Sequence, residues 1–318
     1  MGGELDWAAG VEHLRLADAF SVALYREIAA WLAPGRESRV LDAGCGAGGM
    51  TVQLAQAVGP AGQVVAMDGE PAAVAATSSL VAEHGLADRV EVVVGELPDA
   101  AARAGPFDLI WASRVVHHLA DEAAGVRALA TSLRPAGRLA LAEGGLPMRC
   151  LPFDTGVGEP GLEDRLAAAA ARWFTTLRGG LPAATARHHG WTRVLADAGL
   201  VGVGTRSFLL EVGPPLDADQ AAYVRGHLRD LLERLDGTLE ESDRRALARL
   251  TDPSDPADLG RRDDVFALGV QSIHVGSAPV HPTHECPTRP AQQLASSCRH
   301  PLQGDAMHPP PPGIGRNR

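Results

Sequence analysis

The run Val40-Leu41-Asp42 reads as a strand, and it enters the small residues Ala43-Gly44-Cys45-Gly46-Ala47-Gly48-Gly49 before a helix-like stretch from Met50. Glycines at a strand-to-helix turn let a ligand approach the backbone closely. Two chemistries fit this turn. Gly44-x-Gly46-x-x-Gly49, with Asp68 roughly 20 residues further on, satisfies a dinucleotide fingerprint and would serve an NAD(P)-dependent oxidoreductase. Asp42 argues against that ligand. Two residues before the first glycine a dinucleotide turn ordinarily has an apolar side chain. A carboxylate there repels a pyrophosphate and suits a ligand that carries an ammonium and a sulfonium. The chain also contains no lysine, so a Tyr-Lys pair for hydride chemistry is absent.

A second group of reactive side chains lies further on. His117 and His118 follow a strand-like run at residues 109–112, and the ends of parallel strands are where open sheets present ligands. One of them is expected to accept a proton from a hydroxyl or ammonium nucleophile. His117 is expected to be the more exposed of the two and therefore the base, with His118 orienting the loop. His188-His189 forms a rival pair. Glu143 is expected to end the fifth strand facing the same cleft, and Trp173, Phe174, Trp191 and Tyr223 to cover a planar acceptor. Cys45 is expected to pack as a small apolar side chain, since no base lies beside it in sequence.

These residues need elements to hold them. Apolar side chains spaced three or four apart predict one amphipathic helix over residues 11–32, stopped by Pro34-Gly35. Strands are predicted at residues 39–43, 63–67, 90–94, 109–112 and 138–142, separated by alanine-rich helical stretches. That alternation implies βαβ crossovers and a mostly parallel, doubly wound α/β sheet. Beyond Glu143 the rhythm changes. Helices are predicted at 162–177 and 191–198, a strand at 201–212, largely helical sequence over 217–250 and a last strand near 264–275, so that 145–190 and 215–260 read as insertions on the rim of the sheet.

Taken together, Asp42-x-Gly44-x-Gly46-x-Gly48 and the segments that follow it resemble class I S-adenosylmethionine-dependent methyltransferases of the small-molecule type. Val64-Val65-Ala66-Met67-Asp68 is similar to the second strand, whose terminal acid binds the ribose hydroxyls. Val94-Gly95-Glu96-Leu97-Pro98 is similar to the third, with Glu96 in place of the usual Asp at the adenine amino group and Leu97 against the ring. Phe107-Asp108-Leu109-Ile110-Trp111-Ala112-Ser113-Arg114-Val115-Val116-His117-His118-Leu119 matches the fourth-strand motif. Leu133-Arg134-Pro135-Ala136-Gly137 stands where the family has a Pro-Gly-Gly turn.

The resemblance implies a Rossmann-like methyltransferase fold of seven strands, the last antiparallel, with helical cap insertions. It implies S-adenosylmethionine as the methyl donor and cofactor contacts from Asp42, Gly44, Cys45, Gly46, Gly48, Asp68, Gly69, Gly95, Glu96, Leu97 and Ser113. The expected activity is methyl transfer to O, N or C of a small-molecule metabolite; the alternatives are the oxidoreductase and a non-catalytic cofactor-binding protein of the same fold. The expected organisation is a domain over 1–275, comprising a helical cap (1–35), a cofactor-binding half (36–145) and a substrate-side half (146–275), then a disordered Pro/His-rich tail (276–318).

Composition narrows the partners. The 318 residues carry 29 basic side chains, all arginine, against 39 acidic ones, a net charge of −10. Such a surface disfavours nucleic acid, and no apolar run approaches the ~18 residues of a membrane helix. The four cysteines are too few and too irregularly spaced for a disulfide scaffold and fit a reducing cytoplasm. From residue 276 the chain holds nine of its 23 prolines. His281, His284, Cys286, Cys298 and His300 therefore read as parts of a tail, and no metal site is expected.

Overall fold

The computed structural model describes residues 7–180 and 189–280. Two helices, α1 (Trp7–Phe20) and α2 (Val22–Leu32), replace the single predicted one. The apolar stripe runs through both, but the backbone breaks at Ser21. Its amide is shared between Ala17 O and Asp18 O, and its carbonyl accepts the amide of Tyr25 at 2.9 Å to open α2.

Then follow β1 (Arg39–Ala43), α3 (Gly49–Val58), β2 (Gln63–Asp68), α4 (Pro71–Glu83), β3 (Val90–Val94), α5 (Asp99–Ala104) and β4 (Phe107–Ser113). A short 3-10 turn at Val116–His118 leads to α6 (Glu122–Thr131) and β5 (Leu133–Arg149). The remainder is α7 (Leu162–Gly180), α8 (Trp191–Asp197), β6 (Val201–Val212), α9 (Ala218–Leu235), α10 (Glu241–Thr251) and β7 (Ala267–Ser277). Local chemistry sets several starts: Pro71 opens α4, Asp121 caps α6 through the Ala124 amide, and Asp217 with Gln220 forms a capping box on α9.

The seven strands among the described residues form one sheet in the order β3-β2-β1-β4-β5-β7-β6. β1 to β5 are parallel, and β7 runs antiparallel to both its neighbours. Alternate residues face opposite sides: Val40 and Leu109 join a core with α2 and α3, whereas Leu41 and Ile110 join one with α6 and α8. Winding reverses between β1 and β4, and the crevice at the carboxyl ends of those strands is where such a sheet binds ligands.

β5 departs most from expectation. It continues past Glu143 to Arg149 instead of ending there, because β7 pairs with it from Arg138 to Arg149. The register shifts between Ala142 and Gly145, where Gly144 and Gly145 adopt φ of +78° and +113°. A Cβ on Gly145 would stand 2.0 Å from Val270 O, so this bulge admits only glycine. β7 also outruns the predicted boundary at 275: Ser277 pairs with Arg138 and Val201, and the Ala278 amide donates to Gly137 O at 2.7 Å. The two insertions meet each other. Leu162, Leu166 and Ala169 of α7 share one buried cluster with Val224 and Leu228 of α9 and Leu247 and Leu250 of α10.

Candidate active site

The glycine turn after β1 is built against β2. The amides of Gly44 and Cys45 both donate to Met67 O, at 2.8 and 3.0 Å, and the Gly46 amide donates to Asp68 Oδ2 at 3.0 Å. Asp68 Oδ1 accepts the Glu70 amide at 3.0 Å, so the strand-end carboxylate is fixed from both sides. Gly44 is required twice over: its φ is +76°, and a Cβ would lie 2.7 Å from Val115 Cγ2. At Gly69 a Cβ would come within 2.8 Å of Glu96 Oε1, which brings the ends of β2 and β3 together. The Gly95 amide donates to Asp68 O, Leu97 packs at the edge of the core, and Ser113 Oγ accepts from Gln271 Nε2 at 3.2 Å.

Asp42 lies beneath the turn, 2% exposed, where it accepts the Thr51 hydroxyl at 2.6 Å. Burial, reinforced by Asp18 and Asp68, pushes its pKa up to about 7. Asp18 was not legible as a site residue. It projects from α1, accepts the Gly49 amide at 2.8 Å, and is raised to about 6, chiefly by burial. The one sequence signal was an acid at the seventh position after Val11 on an apolar helix stripe. Cys45 is buried, accepts a hydrogen bond from Thr77, and burial pushes its thiol far up, so it packs and does not attack.

The turn therefore gathers the carboxylates of Asp18, Asp42 and Asp68 around backbone that a ligand can approach. A pyrophosphate would meet this acidic group head on; a nucleoside bearing an ammonium and a sulfonium matches it. The residues present fit S-adenosylmethionine on that ground.

Across the crevice, His117 Nδ1 donates to Glu143 Oε2 at 2.9 Å, and Glu143 Oε1 accepts the Val116 amide at 3.0 Å. Glu143 is 4% exposed. The carboxylate thus fixes the tautomer and leaves His117 Nε2 free to accept a proton. His118, not His117, is the more exposed of the pair, because the Glu143 bond turns His117 inward. Partial burial and the neighbouring His117 ring lower the pKa of His118. Arg178 of α7 holds the same turn, its Nη1 donating to His117 O and Leu119 O, both at 2.7 Å. One helical turn earlier, the Phe174 ring meets His117 edge-on at 5.7 Å.

The other predicted residues separate. Tyr223 packs against Phe20 at 4.4 Å, beside the site. Trp173 lies under Arg234 in the insertion core. Trp191 belongs to the main core with Leu195 and Leu200 and covers no acceptor, since α8 follows the insertion and packs on the sheet. His189 is exposed, and His188 lies outside the described residues. His281, His284, Cys286, Cys298 and His300 also lie outside them; among the described residues no His, Cys, Asp and Glu cluster is arranged to hold a metal. No described helix is long and apolar enough to cross a membrane.

Residues 40–137 match the sequence model of a family described as Methyltransferase domain. The chain is 38% identical over 128 residues to nocamycin O-methyltransferase of Saccharothrix syringae, covering 39% of this chain and 45% of that one. It is 35% identical over 105 residues to a ubiquinone biosynthesis O-methyltransferase of Xanthomonas axonopodis pv. citri, covering 33% and 42%. The YcgJ protein of Bacillus subtilis superposes with a TM-score of 0.46 at 20% identity, covering 81% of this chain and 98% of that one. The chain spans from 24% to 52% of the length of the first curated relatives it matches.

Proposed function

We propose that the protein is a class I S-adenosylmethionine-dependent methyltransferase that transfers a methyl group to a hydroxyl on a small molecule, a reading supported by the match of residues 40–137 to a methyltransferase domain. The observation that carries the choice of a proton-bearing acceptor is the His117–Glu143 pair, 2.9 Å apart, between the turn after β4 and the middle of β5. S-adenosylmethionine, when bound, supplies an electrophilic methyl on sulfur. Asp68 would hold the ribose, Glu96 and Leu97 the base, and Asp42 with Asp18 would complement the cationic methionine end. His117 Nε2 would take the proton of the acceptor hydroxyl, and Glu143 would stabilise the imidazolium that results. The walls of the crevice orient the acceptor, which provides most of the acceleration in sulfonium chemistry.

The test is incubation of the pure protein with S-adenosylmethionine labelled at the methyl carbon and a metabolite extract. Label transferred to a small molecule is expected. Tight binding of NADH, with no calorimetric response to S-adenosylmethionine or S-adenosylhomocysteine, would overturn the reading.

A further inference from the structure

Arg114 has no part in the chemistry described so far, yet its position is unusual. It is a non-glycine residue at φ +51°, a left-handed conformation that side chains rarely adopt. The backbone is held there from both sides: its amide donates to Ala142 O at 3.1 Å, and Val115 is pressed onto Gly44. This strain sits between the end of β4 and the turn that carries His117, where strained backbone usually serves a site.

The Arg114 guanidinium is exposed. Among the described residues it makes no side-chain hydrogen bond and no ion pair. Neighbouring arginines behave otherwise: Arg178 grips two carbonyls, and Arg225 pairs with Asp258 at 2.8 Å. The groups that feel the charge of Arg114 come from three helices, Asp18 of α1, Tyr25 of α2, and Tyr223 and His227 of α9. α1 and α9 close over this space through Phe20 on Tyr223 and His13 on Asp230, at 4.4 and 3.2 Å.

We propose that Arg114 anchors a carboxylate, in an anionic subsite between the glycine turn and the His117–Glu143 pair. A planar guanidinium with free donors matches a carboxylate in fork geometry. His227 is held neutral, its pKa pressed down to about 4 chiefly by burial, and beside it Arg114 offers a guanidinium with no ion-pair partner among the described residues. A single such charge matches a monoanion. A phosphate dianion would meet Asp18 and Asp42. Tyr223, Phe20 and Phe174 give the subsite aromatic walls. The inference rests on the methyltransferase reading for the two ligands that can bring a carboxylate here, the methionine end of the cosubstrate and an acid group on the acceptor.

Calorimetry on the full chain and on Arg114→Met separates them. In the first arm, S-adenosylmethionine is compared with its decarboxylated analogue. In the second, benzoate is compared with benzamide in the presence of saturating S-adenosylhomocysteine. In the wild type at least one carboxylate ligand binds more tightly than its carboxylate-free partner, and Arg114→Met removes that preference, a loss of roughly tenfold or more. Loss confined to the first arm assigns the subsite to the cosubstrate; loss confined to the second assigns it to the acceptor. If neither preference exists, or both survive in Arg114→Met, the proposal fails. Absence of all nucleoside binding by the wild type would defeat the methyltransferase reading instead, and benzoate against benzamide without nucleoside still decides the subsite. Arg114 is exposed, so the variant is expected to melt with the wild type, which a thermal scan checks.

Discussion

At the scale of single residues, the site is two electrostatic devices facing each other. His117→Ala removes the proton acceptor, and we expect kcat to fall by roughly 10²–10⁴-fold with S-adenosylhomocysteine affinity unchanged. Glu143→Gln keeps the packing but loses the tautomer lock, for a smaller loss of about 10–100-fold. Steady-state rates and calorimetry on the same preparations check both. The carboxylates at the glycine turn make a pH prediction. Asp18 and Asp42 are raised from an ordinary 3.8 to about 6 and about 7, so the ligand-free fold holds their protons more tightly than the unfolded chain does. Their contribution to stability is full below 3.8 and is lost as pH rises through about 6 and about 7. Cationic ligand binding should run oppositely, strengthening across that window and releasing protons, measurable by titration in buffers of different ionisation enthalpy. Asp42→Asn should raise the melting temperature of the ligand-free protein above pH 8 and weaken S-adenosylmethionine binding.

At the scale of elements, the sequence was most readable where ligand-binding backbone imposes its own rules. Gly44, Asp68, Gly95 and His117 stand out as candidates because turn geometry and strand ends restrict residue type. Asp18 and Arg178 do not, since helix positions carry no spacing signal for contacts made 31 and 61 residues away. Glu143 was placed on the correct strand, but the continuation of β5 beyond it depends on a partner, β7, that lies far along the chain. The Leu133–Gly137 turn offers a test at this scale. Ala136 adopts φ +63°, a conformation that suits the glycine normally found there. Ala136→Gly should stabilise the protein by about 0.5–1 kcal/mol, the left-handed strain relieved less the added chain entropy. A lower midpoint in urea would contradict this.

At the scale of the whole molecule, the two insertions are legible only together. Each alone lacks a core, and α7, α9 and α10 acquire one by packing on each other above the sheet. The boundary at 275 shows the same dependence on distant partners, because Gly276 packs against Leu200 and Ser277 and Ala278 bond to strands on either side. A chain ending at Val280 should therefore melt close to the full-length protein, and one ending at Val275 clearly lower, as measured by calorimetry. Equal melting of the two would show these pairs to be dispensable.

The position of β7 between β5 and β6 also orders events during synthesis. β6 has no other strand neighbour among the described residues, so when it leaves the ribosome its amides and carbonyls have only water to bond. β2 to β5 can pair as they emerge, each with a strand already made, whereas β6 must wait for α9, α10 and finally β7. Nascent chains halted before β7 would thus display a long unpaired edge, the feature that draws aggregation or chaperones. Completion of this sheet becomes a late event, set by β7, the last strand among the described residues.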